Sequence, residues 1–280
     1  MTPSDKSEAQ VAVQPTSKKV SFTTTMILSP VVLLLLGGSA CTKITVSVHQ
    51  PTSTSSITGT HCQLQRELRN QAQQTDYWCW AASAHTVIQY LKQTPIQQCD
   101  IATAVFQSQL NAAWPTVKSP GGPSLPDPNI APPSCCMSTA VYTGSATQEN
   151  IKIAKEICWK NGWPEDVFTT QQFHMNFEGY EYDSPYTYSQ GLSWEEIVGE
   201  ICADRPMISA ILFTLEYGGG AHVVVIGGYG ELGDGSQWVH VYDPGYNTLE
   251  DDYYLWPYNV YLGDPGVFTH IRDYKGITLP

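Results

Sequence analysis

Charge is scarce in this 280-residue sequence: 14% of residues are charged, and 14 Lys and Arg face 26 Asp and Glu, for a net charge of −12. Such a chain has no basic face with which to neutralise phosphates, so nucleic acid is excluded as a partner. Long hydrophobic runs are missing too. The most apolar stretch, 26–36, is too short for an ordinary membrane-spanning helix. No CxxC pair occurs among the eight cysteines, and none has a histidine at zinc-ligand spacing. A structural zinc is therefore not expected, nor is any other metal or cofactor. The residues before Cys62 show no helical periodicity, which leaves no segment that reads as an inhibitory pro-domain.

What is present is aromatic and apolar material, with 16 Tyr, 8 Trp and 42% hydrophobic residues, enough for a sizeable core. The N-terminus reads as an address. Residues 1–25 are polar with a Lys18-Lys19 pair, 26–36 have the length of a signal-peptide apolar region, and Gly37-Gly38-Ser39-Ala40 precede Cys41. Small residues before a cysteine resemble the bacterial lipoprotein box, although Gly38 stands where that box usually has leucine. Residues 1–40 are accordingly expected to be an export signal and Cys41 a lipidation site, with simple cleavage or a retained anchor as alternatives. Contact with a membrane is expected only through that lipid or signal. Residues 41–60, rich in Ser, Thr and Pro, read as a flexible tether, and the folded domain is expected over 61–280.

Export makes disulfides available. Setting aside Cys41 for lipid and Cys79 as a candidate nucleophile leaves Cys62, Cys99, Cys135, Cys136, Cys158 and Cys202, an even remainder that fits three disulfides of undetermined pairing.

Cys79 stands between Trp78 and Trp80 where a polar segment gives way to apolar residues at helical spacing (Ala81, Ala84, Val87, Ile88, Leu91). A thiol at a helix N-terminus feels the positive end of the macrodipole, which favours thiolate. The competing reading is a buried structural cysteine. The pattern predicts helices over 80–92, 99–110, 147–162 and 193–204, the last with Ser193 as N-cap. His85, on the first helix, reads as a packed or solvent-facing residue. Prolines crowd 114–134 and exclude regular structure there. Strands follow at 206–215, 221–229, 237–244, 253–261 and 267–273. The expected fold is α+β: a helical first half packed on an antiparallel sheet formed by the second.

A cysteine nucleophile needs a base, and the base needs an acceptor on its other nitrogen. His222 opens a β-branched strand directly after Gly218-Gly219-Gly220, and Asp243 ends the following strand before Pro244-Gly245. If the two strands form a hairpin, the start of one lies beside the end of the other. Each residue also has a plain reading, His222 as a core histidine and Asp243 as a turn former.

The ordered series Gln73, Cys79-Trp80-Ala81-Ala82, Cys135-Cys136, His222-Val223-Val224-Val225-Ile226-Gly227-Gly228-Tyr229 and Tyr242-Asp243-Pro244 resembles the papain-like cysteine peptidases, most closely the AvrRpt2-type bacterial group. The resemblance implies Cys79 as nucleophile, His222 as general base and Asp243 as the residue orienting the imidazole. It also implies Gln73 as an oxyanion-hole donor, with Gln71 and Gln74 close enough to compete for that role. Plant papains differ in the residues before the nucleophile and carry asparagine in place of the aspartate, which still accepts from an imidazole. Trp78 and Trp80 are expected to pack around the helix start. The implied partner is a protein or peptide substrate. An acyltransferase or amidase, and an inactive peptide-binding module, are the rival readings. Oligomeric state is left open.

Overall fold

The computed structural model describes residues 41–50, 53–113, 116–118, 124–126, 134–139, 147–182, 191–217, 219–245, 253–263 and 266–280, with side chains from residue 59 onward outside 114–133. The expected signal, 1–40, lies outside the described residues. In chain order the elements are β1 (Cys41–Gln50), β2 (Ser53–Gln63), α1 (Cys79–Lys92), α2 (Gln98–Ala113), β3 (Thr116–Lys118) and β4 (Ser124–Pro126). There follow α3 (Gln148–Cys158), α4 (Pro164–Phe168), β5 (Asn176–Glu181), α5 (Trp194–Cys202), β6 (Met207–Phe213) and β7 (Ala221–Leu232). The last are β8 (Gln237–Tyr242), β9 (Tyr254–Pro257), α6 (Tyr258–Tyr261) and β10 (Phe268–Thr278).

The α+β expectation holds. Helices α1–α4 precede β5–β10, most of an antiparallel sheet in the order β1-β2-β7-β6-β10-β5, with β8 on β7 and β9 on β8; β1 and β2 join it from before α1. Local chemistry accounts for the helix ends. Ser193 and Glu196 form a capping box at α5, and the Thr147 hydroxyl accepts from Asn150 N at α3. Gln93 closes α1 in the left-handed region at φ 53°. Strands β6 and β7 carry buried runs (Met207–Ile211 and Val223–Tyr229) because helices cover them, and α1 packs directly on β7. Trp78, Trp80, Ile88, Ile101, Leu110 and Ile208 are fully enclosed in the shared core. Each such side chain contributes about 1.5–3 kcal/mol of transfer free energy.

Four expectations need correction. Within the expected tether, residues 41–50 and 53–60 lie in strands β1 and β2, and Gly59–Gln63 of β2 pair with Gly228–Leu232 of β7. Thr, Val and Ile are strand formers as well as frequent linker residues, and β7 runs on to Leu232 to offer them an edge. Cys41, the expected lipidation site, opens β1 opposite Cys62; its side chain lies outside the described part. The proline-rich loop holds a minimal ribbon, β3 with β4, in which Pro126 takes an end position. The 253–261 strand stops at Pro257 and continues as α6.

The last correction concerns sulfur. Cys99 bonds Cys136, Cys135 bonds Cys158, and Cys62 is disulfide-bonded. Cys202, however, is a thiol, 3.5 Å from the Tyr229 hydroxyl. An even count sets no pairing; Cys202 ends a helix whose C-terminus abuts β7, where Tyr229 rather than a cysteine meets it.

Candidate active site

Cys79 is the first residue of α1, 7% exposed, and remains a thiol. Thr75 sets it there. Its carbonyl accepts from Trp78 N at 3.1 Å and its hydroxyl from Tyr77 N at 3.3 Å, turning the chain into the helix. Trp78 and Trp80 pack inward as expected and are anchored: Nε1 of Trp78 donates to Cys158 O (2.8 Å) and Nε1 of Trp80 to Lys160 O (3.3 Å). Cys158 is itself held by the disulfide to Cys135, so a covalent brace backs the helix start. Gly162 is required beside Trp80, since a Cβ there would lie 2.8 Å from the indole.

Strand β7 delivers His222, opposite Ile211 of β6. The glycines before it serve the turn. Gly219 and Gly220 have φ of 64° and 94°, and a Cβ at Gly220 would meet nothing within 4 Å, so conformation rather than space calls for glycine.

β7 and β8 form the hairpin expected from the sequence, with Val225 opposite Tyr242. The hairpin brings Asp243 beside His222: Nε2 of the ring lies 2.6 Å from Asp243 Oδ1. Cys79 acts on the same ring, favouring its protonated form together with Asp243. Burial alone would push the imidazole down. Hydrogen bonds from Asp243 and Cys79, with the charges of both, outweigh it and raise His222 to about 10. The protonated ring is therefore favoured, with Nε2 committed to Asp243.

Asp243 is fixed in turn. Its Oδ1 also accepts from Gly245 N at 2.7 Å, and a Cβ on Gly245 would crowd both that oxygen and the His222 ring at 3.1 Å. The segment entering the nucleophile helix is stitched to the same turn. Asn70 Nδ2 donates to Asp243 O (2.9 Å) and Gln73 N to Pro244 O (2.9 Å). Gln73 thus belongs to the site by its backbone, while its side-chain Oε1 is buried with no hydrogen bond among the described residues. Gln74 is drawn elsewhere, its N–H bonded to Gln98 Oε1 at 3.0 Å. Asn70 carries no motif and escapes sequence reading; its contact with Asp243 joins residues 173 positions apart.

His85 is a packed residue, Nε2 bonded to Ile96 O at 2.9 Å. A second His–Asp pair, His270 Nδ1 with Asp273 Oδ1 at 3.2 Å, is 0% exposed and closed off by the Tyr261 carbonyl, so it is a structural cluster. The group Cys99, Asp100 and Cys136 brings possible metal ligands close together, but its sulfurs are joined as a disulfide and leave a single carboxylate.

Residues 64–263 match the model of the Peptidase_C39 like family. No curated protein matches the chain. The matched span contains the whole Cys79–His222–Asp243 cluster and begins within the strand-to-helix connection that carries Asn70 and Gln73.

Proposed function

The chain belongs to the Peptidase_C39 like family, a membership that supports cysteine-peptidase function, and on that premise we propose that it hydrolyses peptide bonds through Cys79, His222 and Asp243. One observation carries the assignment: Asp243 holds His222 at 2.6 Å, and the ring's proton is favoured by both Asp243 and Cys79. With the proton held on His222, Cys79 reacts as the thiolate of a thiolate–imidazolium pair. The thiolate adds to the scissile carbonyl, and Cys79 N–H with the Gln73 side-chain amide donates to the resulting oxyanion. Such a donor is worth roughly 10²–10³ in turnover. As the C–N bond breaks, His222 gives its proton to the leaving amine. Water, deprotonated by His222, then cleaves the thioester and returns the thiol. Asp243 keeps the ring in one orientation throughout.

Within the papain-like enzymes the AvrRpt2-type order of motifs is the reading we retain. Export is supported by the 26–36 apolar run and by the disulfides, which persist in oxidising compartments. Lipidation at Cys41 is the anchoring we propose. Intact mass of the N-terminal peptide decides whether Cys41 carries lipid.

The test is labelling of folded protein with an epoxysuccinyl electrophile, followed by peptide-library cleavage. Modification confined to Cys79, with cleavage lost in Cys79→Ala, is the expected result. Labelling without any peptide bond cut would overturn hydrolysis in favour of acyl transfer. No labelling at Cys79 would leave only a binding module.

A further inference from the structure

A pocket of about 300 Å³ opens beside the far half of α1, lined by Arg66, Arg69, Glu67, Thr86, Gln89 and Tyr90. Thr86 lies seven residues past Cys79 on the same stripe of the helix, about 10 Å along its axis, so the pocket is separate from the candidate active site. Three features mark it as built for a ligand.

Its floor holds two oxygens without partners. Thr86 is 2% exposed, yet its hydroxyl has no hydrogen bond among the described residues, and the buried Gln89 Oε1 has none either. Buried polar atoms are normally satisfied, and each one that is not costs about 1–3 kcal/mol.

Its wall presents organised positive charge. Arg66 lies over the Tyr90 ring at 4.7 Å, and a half-turn of the Gln93 amide would let its oxygen accept from the same guanidinium. Asp204, the nearby acid, is engaged by Tyr90 Oη and by Gln65 N (2.8 Å). In a chain with 14 basic residues and a net charge of −12, two guanidiniums in one small pocket are a concentrated feature.

Its charges are of both signs. Glu67 lines the pocket with the arginines, and Gln89 Oε1 seeks a donor.

We infer that this pocket binds a free α-amino acid. The carboxylate meets Arg66 and Arg69, where guanidinium can bind it in bidentate fashion. The ammonium points to Gln89 Oε1 and Glu67, and Thr86 Oγ hydrogen-bonds the ligand from the floor. The inference does not depend on the peptidase reading, because no member of the pocket belongs to the candidate active site.

Calorimetric titration of the intact chain with glycine, L-glutamate, acetate, methylamine and sulfate tests it. At about 10 mM or below, an amino acid is expected to bind at least ten-fold more tightly than acetate or methylamine alone, each of which supplies one of its two charges. Arg69→Gln should weaken binding roughly ten- to hundred-fold. Thr86→Val should also weaken it while leaving the unfolding midpoint unchanged or higher, since it removes an unsatisfied hydroxyl; this variant keeps the test informative if an arginine variant folds poorly. No binding of any amino acid overturns the proposal. So does sulfate or acetate binding as tightly as the amino acid, or unaltered affinity in both Arg69→Gln and Thr86→Val.

Discussion

The Ser83 hydroxyl donates to the Val223 carbonyl across 3.0 Å of buried interior. Ser83 stands one turn after Cys79 on α1, and Val223 immediately follows His222 on β7, so this single bond registers the helix of the proposed nucleophile against the strand of its proposed base. Ser83→Ala is expected to cost about 1 kcal/mol of stability. It should also slow alkylation of Cys79 and reduce kcat more than it raises KM, because the reacting pair is displaced while substrate contacts remain. Denaturant melts and alkylation rates, compared with wild type, check both halves. An unchanged alkylation rate would make Ser83 a packing residue only.

Asp243 governs how long His222 stays protonated. With the ring raised to about 10 from its ordinary 6.5, the stabilisation it contributes is fully present below pH 6.5 and is lost as pH rises toward 10. Asp243→Asn keeps a hydrogen-bond acceptor but removes the negative charge. It should move the alkaline limb of the activity profile to lower pH and flatten the fall in stability between pH 6.5 and 10, with turnover within about ten-fold of wild type. Asp243→Ala, which also strands Gly245 N–H, should lose far more. Activity and melting temperature measured across that pH range separate the cases.

His240 shows the opposite sign. Its ring is 1% exposed, stacked on Tyr253 at 4.2 Å, and 3.0 Å from His61 Nε2 on β2. Burial, with a smaller push from His61, lowers it to about 3. A histidine kept neutral in the fold contributes stability above pH 6.5 that is lost as pH falls toward 3. His240→Phe should therefore lose less stability than wild type on going from pH 6.5 to pH 4, whatever its starting value. Parallel melting curves for the two proteins over that interval would refute the assignment.

Cys79, His222 and Asp243 were legible in the sequence as candidates, while the residues that hold them were not, and the reason is physical. Cys79, His222 and Asp243 sit where local patterns change: a helix start, the second residue after a glycine turn, and the residue just past a strand's end. Those transitions are visible in linear order. Ser83 and Asn70 act by bonds to carbonyls 140 and 173 positions away, which leave no trace in local composition. The β1–β2 hairpin was hidden for a related reason: Ser and Thr suit both a linker and a strand, and only the edge offered by β7 decides between them. Parity misled at Cys202, since an even number of cysteines is compatible with any mixture of thiols and bridges.

The disulfide between Cys135 and Cys158 braces the start of α1, and with it the proposed nucleophile, through Trp78. Its loop spans 23 residues, for which the chain-entropy account gives roughly 3 kcal/mol. The Cys158 carbonyl also receives the Trp78 indole N–H, one residue before Cys79. Cys135→Ser with Cys158→Ser should therefore lower stability by about 2–4 kcal/mol and loosen the helix start as well. The expected signature is faster hydrogen exchange over 77–82 and a drop in kcat measured well below the new melting temperature. Removing Cys99–Cys136 makes the control. That bridge ties α2 to the residue after Cys135 and has no direct link to Trp78, so its loss should lower stability while leaving exchange at 77–82 near wild type. Equal exchange in the two double variants would show that the indole bond holds without the bridge behind it.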